Sequence, residues 1–259
     1  MQKPSTVSNS TPNLAETDSS ATDSSTALGT LYGIGVGPGD PELITVKALN
    51  CLRTAQVVAF PAGLNQQPGV AERSIERWLC EQQQRLPLTF PYVQDPAQLK
   101  AAWQTAAEQV WPHLQQGDVV FACEGDISFY STFTYLAEAL QQQHAEAKIE
   151  AIAGISSPMA AAAALGIPLT SQADKLAVLP ALYTVSQLES VLAWADVVVL
   201  MKVSSVYAQV WKVLKKHHLL EQSYVVENAT RSNQITYAGL NEQPNLTLPY
   251  FSIMIVKCT

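Results

Sequence analysis

The chain has 259 residues, of which 47% are hydrophobic, so it can bury the core of one large domain or of two smaller domains. Its formal net charge of -7, with only 15 Lys and Arg residues, argues against a nucleic-acid partner, because phosphate binding requires concentrated positive charge. The best candidate for a membrane span, near residues 155–169, is too short. The four cysteines include no CxxC pair, so we expect free thiols in a reducing cytoplasm and no metal site.

Residues 1–29 are rich in Ser, Thr, Asn and Asp and contain few large apolar side chains. Such a composition cannot bury enough surface to offset the entropy of ordering, so we predict a disordered tail. A secretory signal is not expected, because only Lys3 supplies positive charge and no apolar stretch follows it. A transit peptide is disfavoured because the segment lacks Arg and contains several acidic residues: Glu16, Asp18 and Asp23.

From Thr30 onward, short apolar runs alternate with longer amphipathic stretches, a pattern typical of an α/β fold around a largely parallel sheet. Strands are predicted over residues 30–36, 56–60, 86–90, 118–122 and 148–153. Asp40 is placed to cap the first helix, whose apolar face is predicted to contain Leu43, Val46, Leu49 and Leu52. Further helices are predicted over residues 96–116, through Thr132 and Leu136, and over the alanine-rich residues 157–165.

A domain boundary is predicted near Pro168, because Gly166 ends a helix and a proline follows. The N-terminal α/β domain would then cover residues 30–168, and the C-terminal α/β domain would cover residues 169–259. In the second half, strands are predicted over residues 176–179, 197–201, 224–227, 235–238 and 250–256. Helices are predicted over residues 185–194 and 206–217. Because its last strands have little helix between them, part of this sheet is expected to be antiparallel.

Four glycines, at every second position from Gly33 to Gly39, lie where the first strand passes into the first helix. The spacing excludes a dinucleotide fingerprint, because Pro38 or Asp40 stands where the third glycine of GxGxxG is required. The carboxylate of Asp40 also repels phosphate, and the loop lacks the GK[ST] ending of a phosphate-binding loop. The alternative is a tight turn that needs glycine only for backbone reasons.

Two later loops, at residues 123–128 and 153–157, also lie between a strand and a helix. In the first of them, Gly125 adjoins Asp126, which, like Ser128, is suited to capping the next helix without binding a ligand. Ligands of open α/β sheets collect at the carboxyl ends of strands, so all three loops can line one crevice. Their chemistry favours a cationic or zwitterionic ligand over a phosphate ester.

Three motifs, GVGPGDPELITVKAL, EGDISFYSTF and GISS, resemble in sequence and in order those of the tetrapyrrole (corrin/porphyrin) methylase family. The later segments DKLAVLPAL, VVVLMKV, VVENATRSNQ and PYFSIMIV are similar to those of its precorrin-2 C(20)-methyltransferase branch. Together the motifs span residues 30–256. One departure is Ile127, which stands where the family has a proline after Gly-Asp.

The resemblance implies two α/β domains with a cofactor cleft between them, S-adenosylmethionine bound in that cleft, and a homodimer. It implies C-methylation of a tetrapyrrole in cobalamin biosynthesis, at carbon 20 of precorrin-2 or of its cobalt form. The cofactor-binding residues carried over by motif are Pro38, Gly125, Asp126, Tyr130, Ser156, Ser157, Leu182, Met201, Ala229 and Thr230.

Lys202 and Arg231 are candidate substrate-binding residues, since a tetrapyrrole with many carboxylates needs cations and Arg binds carboxylates in a bidentate manner. Asp40 is a third candidate, because it borders the cleft and can orient the substrate or handle a proton afterward. Surface solvation is the alternative role for Lys202, and helix capping is the alternative for Asp40. No catalytic residue is assigned, because a sulfonium is a good leaving group and methyl transfer requires no strong base. His217 and His218 suit a helix C-terminus and are not interpreted as metal ligands.

Several alternatives stay open from the sequence. The acceptor can be another tetrapyrrole, a modified protein residue or a ribosomal RNA nucleotide, although the acidic charge argues against RNA. The chain can also be a non-catalytic module that binds S-adenosylmethionine. Detection of a methylated product separates the enzyme from the module.

Overall fold

The computed structural model describes residues 28–63, 67–91, 93, 95–180 and 185–258. The tail predicted over residues 1–29 therefore lies outside the described residues, except for its last two. Of these, Gly29 is buried, and its backbone N–H donates a hydrogen bond of 2.8 Å to the carbonyl of Leu114. No helix in the described part of the chain is long and apolar enough to cross a membrane.

The first half forms a five-stranded sheet in the order β3-β2-β4-β1-β5, and each pair of neighbouring strands is parallel. The strands are β1 (Thr30–Gly35), β2 (Val57–Pro61), β3 (Gln84–Leu88), β4 (Val119–Cys123) and β5 (Lys148–Ile152). The predicted strands agree with these to within two residues. The central strands β1, β2 and β4 are nearly continuous apolar runs, as expected for strands covered on both faces.

Helices cover both faces of this sheet. They are α1 (Val46–Thr54), α2 (Val70–Ile75), α3 (Pro96–Leu114) and α4 (Thr132–Gln143). One face packs against α3 and α4 around Phe121, Phe133 and Leu136, and the other packs against α1 and α2 around Leu52 and Phe60. The sheet is thus the middle of three layers.

The start of the first helix differs from the prediction. Asp40 caps only a 3-10 turn, Pro41–Leu43, by accepting a 2.8 Å hydrogen bond from the backbone N–H of Glu42. The α-helix begins at Val46, and Thr45 is its N-cap. Val46 is 74% exposed, so its predicted place on the buried face is wrong. The break after Leu43 shifts the helical phase, so that Ala48 and Leu52 face the core instead.

Helix α2 and the 3-10 turn that follows it, Glu76–Trp78, are elements that the sequence pattern does not reveal. The helix has six residues, and its N-cap, Gly69, makes no side-chain capping bond. A segment this short completes fewer than two turns, so it cannot show helical periodicity. Tertiary burial of Ala71 and Ile75 against the first sheet stabilises it.

The second half forms another five-stranded sheet in the order β6-β7-β10-β8-β9. The strands are β6 (Leu176–Leu179), β7 (Val197–Met201), β8 (Ser223–Glu227), β9 (Ile235–Ala238) and β10 (Ser252–Lys257). Strands β6 and β7 are parallel, whereas β10 is antiparallel to both of its neighbours and β8 is antiparallel to β9. The predicted mixed sheet is confirmed.

Three helices accompany the second sheet: α5 (Ser157–Leu165), α6 (Val185–Leu192) and α7 (Tyr207–Lys216). Helix α7 packs on one face through Val210 and Leu214, together with Leu188 of α6. The alanine-rich helix α5 packs on the other face, where Ala161 and Ala162 contact the apolar side chains of β7, β8 and β10. The helix therefore belongs to the second sheet by packing, and the boundary near Pro168 stays a prediction.

The order of the first sheet places a crevice at one defined point. Strands β1 and β4 are neighbours, yet the chain leaves β1 toward β2 on one side and leaves β4 toward β5 on the other. Such a reversal separates the two strand-to-helix connections and opens a crevice at the carboxyl ends of the strands. The loops that follow β1 and β4 are the glycine loop and the loop containing Glu124.

Gly33 of β1 gives a test of packing in the first sheet. A Cβ atom at this position would overlap the buried ring of Phe133. We expect Gly33→Ala to lower the free energy of unfolding by about 1–3 kcal/mol in urea denaturation, because the core must shift to admit a methyl group. Gly117→Ala is the control, since a Cβ there meets no heavy atom within 4 Å. Equal stability of the two variants would contradict the packing described here.

Candidate functional site

A cavity of about 680 Å³ lies at the carboxyl ends of β1 and β4 and is closed on its other side by residues of the second half. This volume is within the range of small-molecule sites, roughly 300–1,000 Å³. Most of the predicted site residues line it: Pro38, Gly125, Asp126, Tyr130, Ser157, Met201, Lys202, Ala229 and Arg231.

Four predicted site residues are not part of this lining. The hydroxyl of Ser156 donates to Sδ of Met159 at 2.8 Å. The Asp40 backbone N–H donates to Oγ1 of Thr230 at 3.1 Å, which joins the glycine loop to the second half just behind the cavity wall. Leu182 lies outside the described residues. Contact of these four residues with a ligand stays a prediction.

The structure brings the three glycine loops together, as the sequence predicts. Gly37 and Gly125 exchange backbone hydrogen bonds of 2.8 and 3.2 Å. A Cβ atom at Gly35 would lie only 2.7 Å from the backbone nitrogen of Gly154 and from the carbonyl oxygen of Gly125. Only glycine permits this approach, so the ends of β1, β4 and β5 meet at one point beside the cavity.

The carboxylate of Asp126 ties two of these loops together. Its Oδ2 accepts a 2.7 Å hydrogen bond from the Gly154 backbone N–H, and its Oδ1 accepts one of 2.9 Å from that of Ser128. Partial burial raises the pKa of this carboxyl, but hydrogen bonds from Ser128 and Gly154 outweigh burial and lower the pKa below its usual value. The predicted helix-capping role of Asp126 or Ser128 is wrong, because Ser131 is the N-cap of α4.

Arg231 connects the two halves inside the cavity. Its Nη2 lies 2.7 Å from Oε1 of Glu124, and its Nε donates to the carbonyl of Pro38 at 3.2 Å. The guanidinium carbon lies 4.0 Å from the centre of the Phe251 ring. Gly39 packs against the stem of this arginine and has no room for a side chain. The second half therefore contacts both loops at the crevice through one residue.

Glu124 is a site residue that the sequence analysis does not assign. Burial raises the pKa of its carboxyl to about 7, and the nearby cations Arg231, Arg73 and Lys202 lower it only in part. Burial correspondingly lowers the pKa of Arg231, which Glu124 raises in part. In the sequence, the signal that could have identified Glu124 is its position next to Gly125, directly after the central strand β4. Its partner lies in the other half and is not predictable from local sequence.

Three predicted site residues adopt left-handed backbone conformations: Tyr130 with φ 52°, Lys202 with φ 53° and Thr230 with φ 68°. Each such conformation costs a residue with a side chain roughly 1–3 kcal/mol and persists only where surrounding structure fixes it. Strain of this kind collects at ligand sites. Lys202 also lies 5.5 Å from the centre of the Tyr250 ring at the cavity wall.

Aromatic side chains line part of the cavity. Trp103 of α3 and Tyr135 of α4 stack with ring centres 4.3 Å apart, and Phe129 meets Tyr130 edge-on at 4.7 Å. This wall offers apolar area beside the cations Arg73, Lys202 and Arg231. Among the described residues, no cluster of three or more His, Cys, Asp or Glu side chains is arranged to hold a metal ion.

The raised pKa of Glu124 makes stability depend on pH. Its neutral form is favoured in the folded chain, so this contribution is present below the usual glutamate pKa and is lost as pH rises through about 7. We expect Glu124→Gln to become more stable relative to the parent protein between pH 5 and pH 8, by about 2 kcal/mol in urea denaturation. The exposed Glu146→Gln should show no such change, and parallel curves for both variants would contradict the prediction.

The sequence pattern of the tetrapyrrole (corrin/porphyrin) methylase family matches residues 30–244 of the chain. The cobalamin biosynthesis protein CobIJ of Mycobacterium tuberculosis is 33% identical over 240 residues, which cover 89% of this chain and 46% of that protein. The chain thus spans about half the length of the first of the curated relatives that it matches.

Other relatives match over nearly their whole length. The precorrin-2 C(20)-methyltransferase of Sinorhizobium sp is 32% identical over 242 residues, covering 90% of this chain and 97% of the relative. The cobalt-precorrin-2 C(20)-methyltransferase of Salmonella typhimurium is 30% identical over 231 residues, which cover 88% of this chain and 96% of the relative. Among solved structures, a uroporphyrin-III C-methyl transferase from Thermus thermophilus, complexed with S-adenyl homocysteine, has TM-score 0.63 and 20% identity, covering 88% of this chain and 92% of that one. This likeness shows the α/β fold alone.

Proposed function

Because the chain belongs to the tetrapyrrole (corrin/porphyrin) methylases, we propose that it is an S-adenosylmethionine-dependent methyltransferase of cobalamin biosynthesis that adds a methyl group to carbon 20 of precorrin-2 or of its cobalt form. The observation that carries the assignment is the match to relatives of that name along nearly their full length. Relatives named for the metal-free and for the cobalt substrate have similar identities, 32% and 30%, so the proposal includes both substrates.

The cavity fits a zwitterionic cofactor better than a phosphate ester. The Gly154 N–H, which is a backbone donor at the crevice, is already bonded to the carboxylate of Asp126, and that negative charge repels phosphate. The lining includes Pro38, Gly125 and Ala229, which offer backbone atoms and small side chains to a ligand. When bound, S-adenosylmethionine supplies a methyl group on a positively charged sulfur, which is an electrophile with a good leaving group.

In this proposal, the residues near the glycine loops hold the cofactor, and the cations hold the tetrapyrrole. The cofactor would contact Pro38, Gly125, Asp126, Tyr130, Ser156, Ser157, Leu182, Met201, Ala229 and Thr230. Arg231 and Lys202 would bind carboxylates of the substrate. Asp40 supports this role indirectly, since its backbone bond to Thr230 fixes the segment that precedes Arg231.

The work of the chain is placement of two reactants in line and exclusion of water. A carbon–carbon bond forms as the sulfur–carbon bond breaks, the sulfur keeps the electron pair, and the methylated carbon gives up a proton. The aromatic wall of Trp103 and Tyr135 supports this role by lining the cavity with apolar surface. Positive charge on sulfur is dispersed in the reaction, so a dry cavity favours transfer.

The test is incubation of the purified protein with methyl-labelled S-adenosylmethionine and either precorrin-2 or its cobalt-bound oxidised counterpart, without oxygen. We expect one labelled methyl group per tetrapyrrole by mass spectrometry, located at carbon 20 by NMR. Arg231→Ala should raise the KM for the tetrapyrrole at least about tenfold, because a charge-assisted contact is lost. Arg53→Ala, which lies over Trp78 outside the cavity lining, is the control. Bound cofactor without labelled tetrapyrrole would favour another acceptor or a non-catalytic module.

We also propose that the protein acts as a homodimer in the cytoplasm. The four cysteines are unpaired, which supports a reducing compartment. Val46, Ile155 and Met159 are exposed apolar side chains. A 3.3 Å hydrogen bond from Thr45 Oγ1 to the carbonyl of Ala153 joins the segment that contains Val46 to the segment that contains Ile155. Such a patch supports burial against a second copy.

Light scattering of the purified chain should give twice the monomer mass. The double variant Val46→Lys/Met159→Lys should shift that mass toward the monomer, because charges would be buried in the contact. A monomeric parent protein at micromolar concentration would reject the dimer.

A further inference from the structure

The pairing of Glu124 with Arg231 suggests how the substrate enters the cavity. The side chains are 29% and 17% exposed, and both line the cavity. The ion pair is monodentate, since only Nη2 and Oε1 are joined. In the described part of the chain, neither Nη1 of Arg231 nor Oε2 of Glu124 has a hydrogen-bond partner, and neither atom is sealed from solvent. Each partner therefore keeps hydrogen-bonding capacity toward the cavity.

The position of Arg231 is fixed independently of Glu124. The backbone carbonyl of Pro38 accepts from its Nε, the ring of Phe251 lies against its guanidinium, and Gly39 packs against its stem. An arginine held at its stem and one face presents its outer nitrogens to any carboxylate in the cavity. Removal of Glu124 therefore leaves the guanidinium in place and leaves its outer nitrogens available.

We propose that Glu124 is an internal carboxylate that occupies Arg231 in the substrate-free protein, and that a substrate carboxylate displaces it with uptake of one proton by Glu124. The inference rests on the proposed function, because it takes the incoming group to be a carboxylate of the tetrapyrrole. Two carboxylates beside one guanidinium repel each other, and the weaker competitor is the one that becomes neutral. Glu124 is that competitor, because its surroundings in the folded chain already favour the neutral form, whereas the substrate carboxylate arrives ionised from water.

The charges around Glu124 are consistent with this exchange near neutral pH. Facing it are Arg231 from the segment after β8, Arg73 from α2 and Lys202 from the segment after β7. On its own strand, burial raises the pKa of Cys123, which keeps this thiol neutral. Hydrogen bonds keep the pKa of Asp126 low, so this carboxylate stays ionised. Burial places the pKa of Glu124 itself at about 7, so one proton is within reach at physiological pH.

The sign of the pH effect follows from linkage. If substrate binding protonates Glu124, affinity is highest when Glu124 is already neutral and falls as pH rises above about 7. One proton taken up per substrate gives a limiting slope of about tenfold in Kd per pH unit. A glutamate that only positioned Arg231 would have the opposite effect, because its loss of charge at low pH would weaken binding.

The experiment measures the Kd of precorrin-2 and of its cobalt-bound oxidised counterpart by tryptophan fluorescence, with S-adenosylhomocysteine present so that no turnover occurs. For the parent protein we expect the Kd to rise about tenfold or more between pH 6.5 and pH 8.5. For Glu124→Gln the Kd should stay low throughout, below that of the parent at pH 8.5. Glu124→Asp, which keeps a carboxylate, should restore a pH dependence.

Calorimetric binding of S-adenosylhomocysteine to each variant verifies that the cavity is folded. Equal pH slopes in the parent and in Glu124→Gln would overturn the proposal, and so would weaker binding by Glu124→Gln at every pH. A parent protein that binds and methylates the tetrapyrrole with an affinity independent of pH would reject this inference alone. A parent protein that binds no tetrapyrrole at any pH would reject it together with the proposed function.

Discussion

The close approach of three backbones, at Gly35, Gly125 and Gly154, is the constraint on which the site depends. These glycines lie at or just after the ends of strands that are neighbours in the first sheet, and the absence of Cβ atoms allows the three backbones to approach closely. Asp126 then fixes the junction by bonding to Gly154. The loops hydrogen-bond to and pack against one another, and they line the cavity together with residues of the second half of the chain.

The second half contributes two of the cations that line the cavity. Arg231 and Lys202 follow different strands of the second sheet and reach the same cavity, where Glu124 and Asp126 provide the acidic side chains. An acidic chain can therefore hold a polyanionic substrate, because Arg73 of α2 joins Arg231 and Lys202 in the lining, so three cations face the cavity beside these two acidic side chains. Net charge argues against nucleic-acid binding, but it does not describe the potential inside a cavity.

Much of the fold is predictable from the sequence because apolar strands covered on both faces leave a clear pattern. The ten strands of the described residues agree with their predicted positions to within two residues. The failures have local physical causes. Helix α2 is too short to show periodicity, and the turn at Pro41–Leu43 breaks the phase of the first helix. The pairing of Glu124 with Arg231 joins two halves that local sequence cannot relate.

The order of the first sheet has a consequence for synthesis of the chain. Strand β1 is made first, yet Leu31 pairs with Val119 on one side and with Ile149 on the other. At roughly 5–20 residues per second, several seconds pass before the ribosome has made both neighbours. During that time the apolar residues of β1 and the edges of β2 lack their final cover. Folding of this sheet therefore waits for translation, and the apolar residues of β1 stay exposed to aggregation until both neighbouring strands have been made.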